Sequence, residues 1–158
     1  MSLKDEMSTV NMEITFNEKD RSSFEDLFHE HEAFEVILKP TDYYDSLLHG
    51  SLVEFSLFDC PKGFYNELQT IANEGICFFG NHDPSQDCSI SAYSFVACES
   101  EVLYVPYHKD EGLCMPVQLK RNEKFPNILY IDRKAGSQLL YKYTAMMTKV
   151  YETWKKTC

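Results

Sequence analysis

Long apolar runs are missing from this sequence. Without roughly 20 consecutive apolar residues, no segment is expected to span a bilayer. The opening Met1-Ser2-Leu3-Lys4-Asp5-Glu6 has none of the basic, apolar and small-residue order of a secretory leader, which points to an intracellular, cytoplasmic chain. Glycine and proline are scarce, six of each in 158 residues, which excludes collagen-like and low-complexity architectures. CxxC pairs are absent too. The six cysteines, Cys60, Cys77, Cys88, Cys98, Cys114 and Cys158, are spaced too widely and irregularly for a zinc ribbon or a thioredoxin-type motif. Free thiols, mostly buried on strands, are expected, with no metal and no cofactor.

Basic residues are in short supply, 15 Lys and Arg against 25 Asp and Glu, for a net charge of −10. The deficit is uneven. Residues 1–60 carry 4 basic and 14 acidic groups, residues 61–118 carry 2 and 8, and residues 119–158 carry 9 and 3. An acidic body disfavours duplex nucleic acid and anionic membrane, because phosphate binding needs clustered Lys and Arg. The basic tail is read as a complement to that body within the fold or an oligomer. What is present is ordinary globular composition, 44% hydrophobic and 25% charged, and the length suits one domain over residues 1–158, with 1–11 read as a disordered or added extension.

Alternation of Met12, Ile14 and Phe16 with polar residues predicts a strand over 12–16. Phe24, Leu27, Phe28 and His31 at helical spacing predict a surface helix over roughly 20–33, followed by a strand from Phe34 to Leu38. One or two helical turns are expected over 41–49, capped by Thr41, with Gly50 as a left-handed exit. Leu52–Phe58 reads as a strand, Asp59-Cys60-Pro61 as a helix start, and Phe64, Leu68, Ile71 and Ala72 as the buried face of a helix over 61–74 that Gly75 ends. With the apolar strand Ile76–Phe79 this makes a βαβ-like unit. Strand-like runs at Ser91–Cys98, Val102–Tyr107 and Leu113–Leu119 with short links predict an antiparallel meander, and Asn127–Ile131 a last strand. Leu139, Leu140, Tyr143, Met146, Met147, Val150, Tyr151 and Trp154 form a 3.6-period stripe that predicts a long helix over 135–156. The fold class is therefore α+β: a mostly antiparallel sheet with one βαβ-like unit, helices packed on one face and a long C-terminal helix.

Gly80-Asn81-His82-Asp83, directly after an apolar strand, resembles the GNHD signature of calcineurin-like metallophosphoesterases. That resemblance implies Asn81 as a ligand of a two-metal centre and His82 as the histidine at the scissile phosphate. It covers four residues, and the family's Asp-x-His, Gly-Asp and Gly-His-x-His elements are absent, so a plain turn is the leading interpretation of these residues. Topology offers another. If the strands before and after the 61–74 helix are parallel, their ends bring Asp59 and Cys60 near Asn81, His82 and Asp83, where open α/β units bind ligands. Cys60 beside a helix N-terminus is then a candidate nucleophile with a lowered pKa, His82 its base and Asp83 a third catalytic group, while Asp59, Asn81 and His108 are candidate ligand-binding residues. Tyr104, Tyr107 and His108 form a candidate rim. His29 and His31, two apart on a helix, face different sides and do not share an ion.

No complete catalytic set is visible. The expected function is that of a small intracellular, non-catalytic binding or interaction protein with an unknown protein partner, homodimeric through the C-terminal helix in one version, and with neither nucleic acid nor membrane as a partner. The alternative is an enzyme or small-ligand site around Cys60, His82 and Asp83.

Overall fold

The computed structural model describes residues 8–31, 33–38, 48–108 and 110–155. In chain order the elements are β1 (Thr9–Asn17), a 3-10 segment over Glu18–Ser23, the short helix α1 (Glu25–His29), β2 (Phe34–Leu38), β3 (Leu52–Pro61), a 3-10 turn at Lys62–Phe64, α2 (Tyr65–Asn73), β4 (Phe78–His82), β5 (Tyr93–Cys98), β6 (Glu101–His108), β7 (Gly112–Leu113), β8 (Gln118–Arg121), β9 (Leu129–Asp132) and α3 (Lys134–Trp154). Of the helical turns expected over 41–49, residues 41–47 with the Thr41 cap lie outside the described residues, as do Lys156 and Cys158, and Leu48 and His49 are not helical. The strand expected to start at Met12 starts instead at Thr9. Val10 is a core residue, so residues 8–11 belong to the fold rather than to an extension.

The principal sheet has seven strands in the order β2-β3-β1-β4-β5-β6-β7, every pairing antiparallel, while β8 and β9 form a separate two-stranded ribbon. β3 and β4 both pair with β1, Met12 standing opposite Leu57 on one side and His82 on the other. Since each runs antiparallel to β1, β3 and β4 are parallel to one another with β1 between them. The β3-α2-β4 unit is therefore a split βαβ, and the C-terminal ends of its two strands lie on the same side of the sheet, as the sequence implies.

One face of the sheet carries Met12, Ile14 and Phe16 from β1, Val53, Phe55 and Leu57 from β3, Phe78 from β4 and Phe95 and Ala97 from β5. Phe24 from the turn before α1 and Leu68, Ile71 and Ala72 from α2 cover it. Aromatic rings dominate its α1 end: Phe28 stacks on Phe55 at 3.7 Å and Phe16 on Phe24 at 4.4 Å, a geometry that adds to simple area burial.

The helices do not share one face, which corrects the expectation. Met146, Val150 and Trp154 of α3 pack on Val96 and Cys98, whose side chains point away from those of Phe95 and Ala97. The physical reason is visible in β5 itself. Phe95-Val96-Ala97-Cys98 is an unbroken buried run, and a strand apolar on both sides needs cover on both. α3 is stitched to the rest by Lys142 to Glu101, by Lys149 to Glu99 at 3.4 Å and by the His49 amide donating to the Trp154 carbonyl. The basic C-terminal residues thus meet acidic ones of the body, each exposed pair adding less than about 1 kcal/mol. α3 covers only part of its face. Over β2, β3 and β1 that side remains open, presenting Phe34, Val36, Glu13 and Phe58. No described helix is long and apolar enough to cross a membrane.

Candidate functional site

The link from β3 to α2 is tighter than a capped helix start. Asp59-Cys60-Pro61 complete the strand instead of opening the helix, and Lys62, Gly63 and Phe64 then turn with φ of 51°, 64° and 54°. Three consecutive left-handed residues, two of them not glycine, store backbone strain of order 1–3 kcal/mol each at the non-glycine positions. The Lys62 amide donating to the Ser8 carbonyl at 2.8 Å helps hold the turn. Beneath it lies a cavity of about 700 Å³, bounded by this turn, the first turn of α2, the end of β4, and β5 and β6.

Three tyrosines and His82 form its walls. Tyr65 of α2 stacks on Tyr104 of β6 with centroids 5.6 Å apart, Tyr104 meets Tyr93 edge-on at 6.3 Å, and Tyr93 lies 5.8 Å from the His82 ring. Register explains the gathering. His82 is opposite Tyr93, and Tyr104 is opposite Phe95, so all three rings fall on the α2 face. His82 is 4% exposed, and burial lowers its pKa below the ordinary 6.5, against the weaker upward pull of Asp83. The ring is therefore neutral at pH 7. Its Nδ1 lies 3.0 Å from the Asp83 carbonyl, which assigns the proton to Nδ1 and leaves Nε2 an acceptor without a partner among the described residues. Gly63 matters here, since a side chain at that position would begin 3.7 Å from Nε2. The Tyr104 hydroxyl is buried with no hydrogen-bond partner among the described residues, and burial, with Tyr65 beside it, pushes its pKa up, so it is a donor. The cavity thus has aromatic walls and the neutral His82 acceptor, with Ser8, Lys62, Asn66 and Glu67 also in its lining, while the Tyr104 hydroxyl is sealed within the wall.

The residues singled out by sequence separate. Only His82 of the six lines this cavity. Cys60 stays in the core, fully buried opposite Val10, and burial followed by the Asp59 charge pushes its thiol up to about 12. The expected lowered pKa is corrected, because the helix starts too late for its N-terminus to stabilise a thiolate there. Asp59, Asp83 and His108 line a second recess of about 470 Å³ with Tyr107. Asn81 and Asp83 border a third, of about 290 Å³, on the opposite side of the sheet. Gly80, Asn81 and His82 are strand residues rather than a turn, so Asn81 and His82 point to opposite faces and do not converge on one phosphate or metal. Among the described residues no three His, Cys, Asp or Glu side chains are placed to hold a metal ion. The candidate rim splits likewise: Tyr104 lines the first cavity, Tyr107 and His108 the second. Sequence reasoning missed Gly63, Tyr65 and Tyr93. A repeated tyrosine on the α2 side of consecutive strands was the available signal, readable only once the register is known.

The neutral His82 has a consequence for stability. The unfolded histidine takes up a proton as pH falls through about 6.5, while the folded one resists it until lower pH. Stability is therefore expected to fall as pH drops from neutral towards the folded pKa and to level off, for this group, below it. Denaturant midpoints between pH 7.5 and 5 for wild type and His82→Gln check this. The wild-type curve is expected to slope more steeply, and parallel curves would refute it.

Compared with known protein families, with curated proteins and with solved structures, the chain matches none.

Proposed function

We propose that this chain is a non-catalytic binding protein that takes a small, largely aromatic ligand into the cavity over His82. The observation that carries this reading is the cavity's wall, where the rings of Tyr65, Tyr93 and Tyr104 and the neutral His82 surround a mostly apolar space. His82 Nε2 asks for a donor from the ligand. The volume of about 700 Å³ falls within the roughly 300–1,000 Å³ of small-molecule sites, and such sites are mostly apolar with a few placed polar groups. Binding is favoured over catalysis because the thiol expected as nucleophile lies outside the cavity with a raised pKa. The five described cysteines, all free, fit a reducing, cytoplasmic setting.

His82→Phe tests this. The variant keeps an aromatic wall but loses the Nε2 acceptor, so it should bind 4-hydroxybenzamide roughly three- to tenfold more weakly than wild type by calorimetry. Unchanged probe affinity would overturn the reading. Tyr104→Phe, which removes only a buried unpaired hydroxyl, is expected to be more stable than wild type by about 1 kcal/mol and to bind the probe as wild type does.

A further inference from the structure

Two apolar surfaces lie uncovered on this molecule, and they carry opposite charge. The first is the β8-β9 ribbon. Leu119 is opposite Ile131 and Arg121 opposite Leu129, so these four share one ribbon face, with Leu119 68% and Leu129 57% exposed. A two-stranded ribbon is marginal alone in water, and this one joins no other strand. Residues 119–134 are basic, with Lys120, Arg121, Lys124, Arg133 and Lys134 against Glu123 and Asp132. Lys120 is already paired with Asp132 at 2.7 Å across the ribbon, which leaves Arg121 as the cation of the apolar face.

The second surface is the open side of β2, β3 and β1. Phe34 is 68% and Val36 51% exposed there, Phe58 meets Phe34 edge-on at 5.8 Å, and Glu13, Ser56 and Asp83 border the recess of about 290 Å³ between them. Glu54 stands opposite Val36 on the same side. Its carboxyl is held above the usual range by burial and then by Glu13, and neither acid has an ion-pair partner among the described residues. Exposed apolar area bordered by charge marks interaction sites.

One molecule does not join the two surfaces. Both surfaces are exposed, and the ribbon follows β7 in the chain, the strand at the edge of the principal sheet opposite β2. We propose that a second copy of this chain supplies the cover, the ribbon of each copy lying on the open β2-β3-β1 face of the other, Leu119, Leu129 and Ile131 against Phe34, Val36 and Phe58, and Arg121 against Glu13 and Glu54. Each chain carries both halves, so a two-fold arrangement makes the exchange reciprocal and closes it as a dimer. This places the interface away from the C-terminal helix stripe, which is occupied by the sheet.

A charge exchange tests it. In sedimentation velocity at about 50 mM salt the full-length chain is expected to be dimeric, dissociating as added salt screens the charges. Arg121→Glu alone and Glu54→Arg alone are each expected to associate at least tenfold more weakly, since each sets like charges together. Mixed in equal amounts they should dimerise as wild type does, because both contacts are then complementary again. Glu13→Arg, on an exposed side chain, replaces Glu54→Arg if circular dichroism shows that variant unfolded. A monomeric wild type, variants that associate like wild type, or a mixture that stays monomeric would each overturn the proposal, the first indicating a different partner and the second a different interface.

Discussion

Trp154→Ala is expected to lower folding stability by roughly 3–5 kcal/mol, the range for truncating a buried large aromatic. Trp154 is 1% exposed at the end of α3, with Phe79 at 5.9 Å and Tyr151 at 5.9 Å, in the same cluster as Leu48 and Leu52. Its loss therefore opens a cavity where the C-terminal helix meets the sheet and the approach to β3. Its indole N–H is buried without a partner among the described residues, so the side chain stabilises by packing against the cost of that donor. Trp154→Phe should consequently lose much less than Trp154→Ala. Denaturant midpoints at high salt and two protein concentrations check both. A loss that changes with concentration under those conditions would mean that Trp154 serves an interface instead of the core.

Gly80→Ala is expected to cost about 3 kcal/mol, at the upper end of what overpacking does, although only one methyl is added. A Cβ at Gly80 would overlap the Glu13 carbonyl oxygen and come within 2.8 Å of Phe95 Cζ. The first obstacle is backbone, which cannot swing aside. β4 would have to move away from β1, and His82, two residues further along, would move with it. The probe affinity of the cavity should therefore fall together with the melting midpoint. Gly75→Ala is the comparison: its φ is 84° but nothing lies within 4 Å, so only the left-handed conformational cost of about 1–2 kcal/mol applies. Equal losses for the two variants would show that the close approach at Gly80 is relieved by relaxation.

Local periodicity carried much of the architecture. The helix expected over 135–156 from the stripe of Leu139 to Trp154 is α3, Lys134–Trp154, Phe34–Leu38 is β2 as expected, and Gly50 and Gly75 take the left-handed conformations assigned to them. Partnering was less visible. Nothing near Met12 or Ile14 says that β1 separates β3 from β4, because strand order is fixed by contacts between distant residues. The two-sided burial of Phe95–Cys98 is legible in its unbroken apolar run, which calls for cover on both faces. At the site, the shared side of the β3 and β4 ends followed from chain order, but the side to which each residue points did not. His82 and Asn81 are neighbours in sequence and opposite in space, and Pro61-Lys62-Gly63 suits a helix start as well as the left-handed turn that Lys62–Phe64 makes.

The central position of β1 also sets a timetable for synthesis. β1 precedes both of its neighbours in the chain, and its last partner, His82, lies about 70 residues after Met12. At roughly 5–20 residues per second a ribosome needs about 4–14 s to cover that distance. Through that interval Val10, Met12, Ile14 and Phe16, all destined for the interior, have at most one strand to lie against. A nascent chain of this protein must therefore carry an adhesive, unpaired strand for seconds before β4 arrives, which makes β1 the segment that a ribosome-associated chaperone would have most reason to hold.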